Sequence, residues 1–161
     1  MLRVGLGFDV HAFATPSAGR PLVLGGVTIP GQNGLEGHSD ADVLVHAVCD
    51  AVLGALGLGD LGKHFPDSDP HLKGVSSLTL LDRVASLMEE KGYRLINLDT
   101  VVIAQVPRIA PYVEEMRTRL AAGLKATLDE VNVKGTSPEG LGSLGRKDGI
   151  AAESIVLLGR I

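Results

Sequence analysis

Tryptophan is missing from this chain of 161 residues, and aromatic residues together make up only 3% of it. The core must therefore be built from aliphatic side chains. The interleaving of rings and basic residues that stacks on and neutralises single-stranded nucleic acid is not available. Cysteine occurs once, at Cys49, which excludes an intrachain disulfide. Lying in an apolar stretch, Cys49 reads as core. No run reaches the ~20 apolar residues a membrane span needs, and Asp9 and His11 interrupt the apolar start that a secretory signal requires. The expectation is a cytoplasmic protein with no membrane partner. Lys and Arg number 15 against 19 Asp and Glu, a formal net charge of −4 with no basic block, which argues against a nucleic-acid partner. An anionic small substrate would need local help from metal ions, backbone N–H groups or a few placed Arg and Lys.

Apolar residues make up 45% of the chain, and the 21 glycines mark tight turns or close backbone approaches. The length suits one domain, residues 1–161, around a single core. Residues 2–11 alternate, with Leu2, Val4, Leu6, Phe8 and Val10 on one face and Arg3, Gly5, Gly7, Asp9 and His11 on the other, which predicts a strand. Residues 21–29 are strand material broken at Gly25-Gly26 by a bulge or turn. A helix over 40–56 is closed by Gly57. A loop over 57–75 follows, too long to be a mere connector. A second helix, capped by Ser76 or Ser77, runs to Gly92. Residues 94–106 form a long strand, 111–124 a third helix and 130–135 a short strand. A Gly-rich loop at 135–149 leads into a last strand at 150–159. This order predicts an α/β (α+β sandwich) fold: a mixed four- to five-stranded sheet with helices on one face. The run Ile155, Val156, Leu157, Leu158 implies burial on both faces of the last strand. The helices can cover one face, and the cheapest cover for the other is a second copy of the chain.

The densest chemical signal is the segment His38-Ser39-Asp40-Ala41-Asp42, followed after three apolar residues by His46. Ser39 stands where an N-cap belongs, and Asp40 and Asp42 fall in the first turn, where carboxylates suit the helix dipole. Capping accounts for these three residues but not for His46, which an apolar helix has no reason to carry. Asp9 and His11, two apart on a strand, emerge on one face beside the space left by Gly5 and Gly7. Joined by His46 they make one carboxylate and two imidazoles, a zinc-type donor set with a fourth position open. His38 and Ser39, at a helix N-terminus, could reach a phosphate or could simply form a capping segment. Asp60, Asp67 and Asp69 in the long loop could bind hydroxyls or a cation, or could be turn residues. In Lys134-Gly135-Thr136-Ser137-Pro138-Glu139-Gly140, hydroxyls and a carboxylate follow a strand. Glycine-rich loops can present N–H groups to phosphate, although no Walker motif is present.

Taken together, the segments 7–13, 38–47, 59–69, 104–107 and 136–142 resemble the family of 2-C-methyl-D-erythritol 2,4-cyclodiphosphate synthases, and the resemblance runs essentially end to end. It implies a phosphorus–oxygen lyase of non-mevalonate isoprenoid biosynthesis. The 2-phosphate of 4-diphosphocytidyl-2-C-methyl-D-erythritol 2-phosphate attacks the β-phosphate, CMP leaves, and the 2,4-cyclodiphosphate forms. It also implies zinc at Asp9, His11 and His46, and a second divalent ion, Mg²⁺ or Mn²⁺, at Glu139. His38 and Ser137 would stabilise the transition state. Substrate would be bound by Asp9, Val10, His11, His38 and Ser39; by Asp60, Leu61 and Gly62; and by Phe65, Pro66, Asp67, Ser68 and Asp69. The cytidine pocket would comprise Ala104, Gln105, Val106, Pro107, Arg108, Ile109 and Ala110 with Gly135, Thr136 and Ser137, next to Pro138 and Glu139. The family is a homotrimer with active sites between subunits. Two departures stand out. Ser137 replaces the usual threonine and keeps its hydroxyl. Ser143 replaces an aromatic residue near the trimer axis, where the family's cavity is associated with isoprenoid diphosphates and where Arg146 still matches a diphosphate-facing arginine. A zinc-dependent phosphoesterase would use Asp9, His11 and His46 equally well, but would leave the other motif matches unexplained. A non-enzymatic terpenoid-binding trimer would have no use for intact metal ligands.

Overall fold

Alternation along the first strand decides the architecture, and it works in an unusual sense. In a computed structural model that describes all residues, 1–161, β1 (Leu2–Ala12) turns its glycine side inward. Gly5 and Gly7 are buried against the helix α1 (Val43–Leu56). A Cβ added at Gly7 would lie 1.9 Å from the Ala47 carbonyl oxygen, and one at Gly5 1.9 Å from that of Ala51. Only glycine lets strand and helix backbones come this close. The large side chains Leu2, Val4, Leu6, Phe8 and Val10 point the other way, each more than half exposed.

The main sheet has four strands in the order β1-β6-β4-β5, with β4 at Tyr93–Ile103, β5 at Val131–Thr136 and β6 at Gly149–Arg160. β6 is antiparallel to both β1 and β4, and β5 is parallel to β4. β1, β4 and β5 therefore run the same way, and the segments that follow them leave from one end of the sheet. The stretch read as one broken strand is a hairpin forming its own two-stranded sheet, β2 (Pro21–Leu24) and β3 (Val27–Asn33). Its two-residue turn, Gly25-Gly26, has φ of 58° and 76°, the left-handed pair that matches strand twist. β4 ends at Ile103, short of the expected 106.

α1 is apolar nearly all round, as a fully enclosed helix must be. Its only residues that are not buried are His46, Asp50 and Gly54, a single i, i+4, i+8 stripe. It lies between the sheet and α3 (Ser77–Glu90), with α4 (Val113–Leu124) alongside α3. α4 starts two residues later than expected, after a 3₁₀ turn at Ala110–Tyr112. One aliphatic core joins α1, the hairpin and the inner faces of β4, β5 and β6. The long loop contains a one-turn helix, α2 (Leu61–His64), and a 3₁₀ turn at Pro70–Leu72. The Gly-rich loop contains α5 (Gly142–Gly145). No helix is long and apolar enough to cross a membrane.

Candidate functional site

The start of α1 corrects the capping assignment. Ala41 is buried in the left-handed region at φ 57°, so the helix cannot begin at residue 40. The N-cap is Asp42, whose carboxylate accepts from the Val45 N–H at 3.0 Å. The same fully buried carboxylate accepts from Gly25 N–H at 2.9 Å and Gly26 N–H at 2.7 Å, pinning the hairpin turn to the helix. Burial, then the neighbouring Asp40 charge, pushes the Asp42 carboxyl up to about 6 against those three bonds. Ser39 is no N-cap. Its Oγ accepts from Ala41 N–H and lies 3.2 Å from His46 Nε2, while the Arg20 guanidinium donates to its carbonyl at 2.6 Å.

The close seat of α1 on Gly5 and Gly7 brings His46 over the strand residues Asp9 and His11. Asp9 Oδ2 lies 2.9 Å from His11 Nε2 and 3.1 Å from His46 Nδ1, and the two ring nitrogens are 3.3 Å apart. One donor atom from each residue falls within 4.8 Å of the others, and all three side chains are partly buried. Burial alone would raise the Asp9 carboxyl, but hydrogen bonds from both imidazoles outweigh it and hold it at about 2. The Asp9 hydrogen bond in turn raises His11. The His11 Nδ1–H donates to the Glu36 carbonyl at 2.5 Å. A carbonyl can only accept, so the His11 ring is oriented from behind, and a cation that replaces the Nε2 proton now facing Asp9 would find Nε2 aimed at the cluster as a ligand nitrogen. A carboxylate and two imidazoles with fixed outer nitrogens fit a zinc-type ion.

The neighbouring polar residues are tied into the same end. His38 Nε2 lies 3.0 Å from the Asp69 carbonyl, which joins the segment before α1 to the long loop. Asp60 caps α2 through Lys63 N–H, and Asp69 caps the 3₁₀ turn through His71 N–H. These two carboxylates thus hold local structure. Asp50, one turn beyond His46, accepts from Leu61 N–H at 2.7 Å and is raised chiefly by burial. Asp67 and Ser68 are exposed.

A separate cavity of about 570 Å³ opens where β4 and β5 end. Ala104, Gln105, Pro107, Arg108, Ile109 and Ala110 line it together with Gly135, Thr136 and Ser137, so two segments about thirty residues apart meet there. Val106 is not among the lining residues, whereas Val102, Val113 and Lys134, which sequence reasoning missed, are. Lys134 adjoins the Gly135 motif, and Val102 is an inward position of β4, so both carried a signal. Beyond the cavity, Ser137 Oγ accepts from Glu139 N–H, Gly140 N–H donates to Gln105, and Glu139 is exposed at φ 56°. Ser143 and Arg146 are exposed as well, with Arg146 paired to Asp148 at 3.3 Å. None of Asp9, His11, His38 or His46 lines the cavity. The two centres share an end of the sheet, but β1 and β5 are its opposite edges, roughly 14 Å apart at ~4.8 Å per strand.

Comparison with known proteins follows the same lines. The sequence model of the YgbB family matches residues 2–159. The 2-C-methyl-D-erythritol 2,4-cyclodiphosphate synthase of Bacillus licheniformis is 55% identical over 161 residues, covering 100% of both chains. That of Geobacillus kaustophilus is 56% identical over 158 residues, covering 98% of each. Among solved structures, the bifunctional IspDF of Campylobacter jejuni superposes with a TM-score of 0.94 at 42% identity, covering 100% of this chain and 43% of that one. The IspF of Plasmodium falciparum in a CDP complex gives 0.86 at 33%, covering 99% and 96%.

Proposed function

The chain belongs to the YgbB family, and from that premise we propose that it is a phosphorus–oxygen lyase, a 2-C-methyl-D-erythritol 2,4-cyclodiphosphate synthase acting in the cytoplasm as one domain over residues 1–161. The substrate is 4-diphosphocytidyl-2-C-methyl-D-erythritol 2-phosphate. The observation that carries the reading is the pairing of a carboxylate–imidazole cluster with a nucleoside-sized cavity at the same end of one sheet.

The reaction brings one phosphate against another, so its barrier is mainly positioning and charge. Divalent ions, zinc held by Asp9, His11 and His46 and Mg²⁺ or Mn²⁺ held by Glu139, would neutralise phosphoryl oxygens. The chain's own groups do the rest. Residues 104–110 and 135–137 grip cytidine, and the 60–69 loop holds the erythritol hydroxyls. His38 and Ser137 donate to the phosphoryl oxygens on which charge develops. No residue need act as a covalent nucleophile, because the substrate carries its own.

Separation of cluster and cavity within one chain supports active sites shared between subunits of a homotrimer. The stripe Leu2, Val4, Leu6, Phe8 and Val10, with Ile155 beside it, is a long exposed apolar surface for a single chain and suits burial between copies. The phosphoesterase alternative is disfavoured by the cavity, which simple ester hydrolysis does not need.

Phosphorus NMR of the purified protein with the diphosphocytidyl substrate tests the proposal. CMP and a cyclic diphosphate should appear together, without solvent ¹⁸O in the product. A chelator or His46→Ala should stop both. Ring-opened phosphates carrying solvent oxygen would show a phosphoesterase instead.

A further inference from the structure

Ser77 is the first residue of α3, wholly buried, and outside every motif of the site. Its Oγ lies 2.9 Å from His46 Nε2, on the side of the ring away from Asp9 and His11. The same hydroxyl donates to Asp40 Oδ1, and the Ser77 backbone N–H donates to Asp40 Oδ2 at 3.0 Å. Asp42 N–H also donates to Asp40 Oδ1, at 3.1 Å. Asp40 is therefore met by three donors, the Ser77 hydroxyl and the backbone N–H groups of Ser77 and Asp42.

Proton bookkeeping gives this chain a direction. A serine hydroxyl has one proton. Asp40 takes it, so Ser77 can present only a lone pair to His46 Nε2, and the imidazole must donate there. Ser39 Oγ, 3.2 Å from the same nitrogen, accepts from Ala41 N–H and keeps a proton that it could offer to Nε2, but at 2.9 Å Ser77 is the nearer partner and sets the direction. A neutral imidazole that donates at Nε2 has a bare Nδ1, which is the nitrogen facing Asp9 and His11. Two acceptors thus compete for the His46 proton: Asp9 at Nδ1, and Ser77, polarised by Asp40, at Nε2. A cation among the three ligands occupies the Asp9 lone pair and needs the Nδ1 lone pair, so the proton must lie on the Ser77 side. An acceptor already oriented there lowers the cost of that arrangement.

We infer that Asp40 and Ser77 are positioning residues, a fixed-polarity relay that commits His46 Nδ1 to metal ligation. This rests on the metal-site reading above, and the experiment separates the two. Zinc affinity is measured by chelator competition on wild type, Ser77→Ala, Asp40→Asn and the double variant, with circular dichroism confirming the fold of each. Wild type that holds no zinc refutes the metal site itself. If the relay exists, Ser77→Ala weakens zinc about 10- to 100-fold, the range for outer-shell partners of metal ligands. Asp40→Asn does about the same, because its amide turns the Ser77 proton toward His46. The double variant is no weaker than Ser77→Ala alone, since the two residues act in series. Full affinity in Ser77→Ala, or losses that add in the double variant, overturns the inference. Should a variant fail to fold, proton NMR of zinc-loaded wild type still decides. A slowly exchanging His46 Nε2–H close to the Ser77 β-protons is expected, and a freely exchanging one refutes the relay.

Discussion

The two ends of the candidate machinery are built on opposite plans. Around β1 and α1, polar atoms are enclosed and already satisfied: Asp42 has three backbone donors, His11 has the Glu36 carbonyl, and His46 has Ser77. No buried side-chain nitrogen or oxygen in the molecule lacks a partner. Beyond β5, Ser137 and Glu139 stand exposed, and the only bonds they make are local to their loop or its turn. The first region spends its hydrogen bonds on fixing side chains before any ligand arrives. The second leaves its groups free for one. Mutations should therefore couple stability to function in the first region and separate them in the second.

The largest effect is expected at Gly7→Ala. The new methyl would meet backbone atoms of α1 at 1.9 and 2.6 Å, which no side-chain rotation relieves. Overpacking of this kind costs about 3 kcal/mol or more, a fall in Tm of roughly 6–12 °C. Zinc retention should fall with it, because the strand carries Asp9 and the helix carries His46. Calorimetry with metal analysis checks both, and a stable variant that keeps its zinc would refute the coupling. Glu139→Gln should show the opposite pattern. We expect turnover to drop about 100- to 1,000-fold, in line with the loss of one charge-stabilising group, with Tm nearly unchanged, since exposed substitutions stay within about 0.5 kcal/mol. Equal loss of both would place Glu139 in the folding framework instead. The smallest effect is expected at Ala41→Gly. Relief of a left-handed alanine, about 1–2 kcal/mol, is offset by glycine's chain entropy, about 0.5–1 kcal/mol, and by one lost buried methyl, about 0.8 kcal/mol. Denaturant unfolding should shift by less than about 1 kcal/mol, and a larger loss would give the methyl a packing role that the backbone strain conceals.

The same contrast explains what could be read from sequence alone. Asp9 and His11 were legible because two-residue spacing puts both on the face left open by Gly5 and Gly7, and His46 because an apolar helix has no reason to carry it. The cavity segments at 104–110 and 135–137 were grouped only by the family resemblance, and the ends of β4 and β5 bring them together. The helix start was misplaced because Ser39, Asp40 and Asp42 are all good capping residues, and only the left-handed turn at Ala41 selects the last. Gly25-Gly26 read as a bulge or a turn because both use glycine, and the left-handed φ pair of the hairpin selects the turn. The Asp40–Ser77 contact spans 37 residues and had no local signal. Which face of β1 is inward was hidden for another reason: its buried side is the one with no side chains, the reverse of what hydrophobic alternation suggests.

That bare side has a consequence for motion. Where side chains interdigitate, rotamers can shift and let neighbouring elements part slightly. Two backbones in direct contact have no such slack. Asp9 and His11 on one, and His46 on the other, therefore lack a soft mode that would open their cluster while the rest of the molecule stays folded. The ligand geometry should therefore persist until the fold itself gives way, and the hydrogen-bonded amides of β1 and α1 should exchange only on global unfolding.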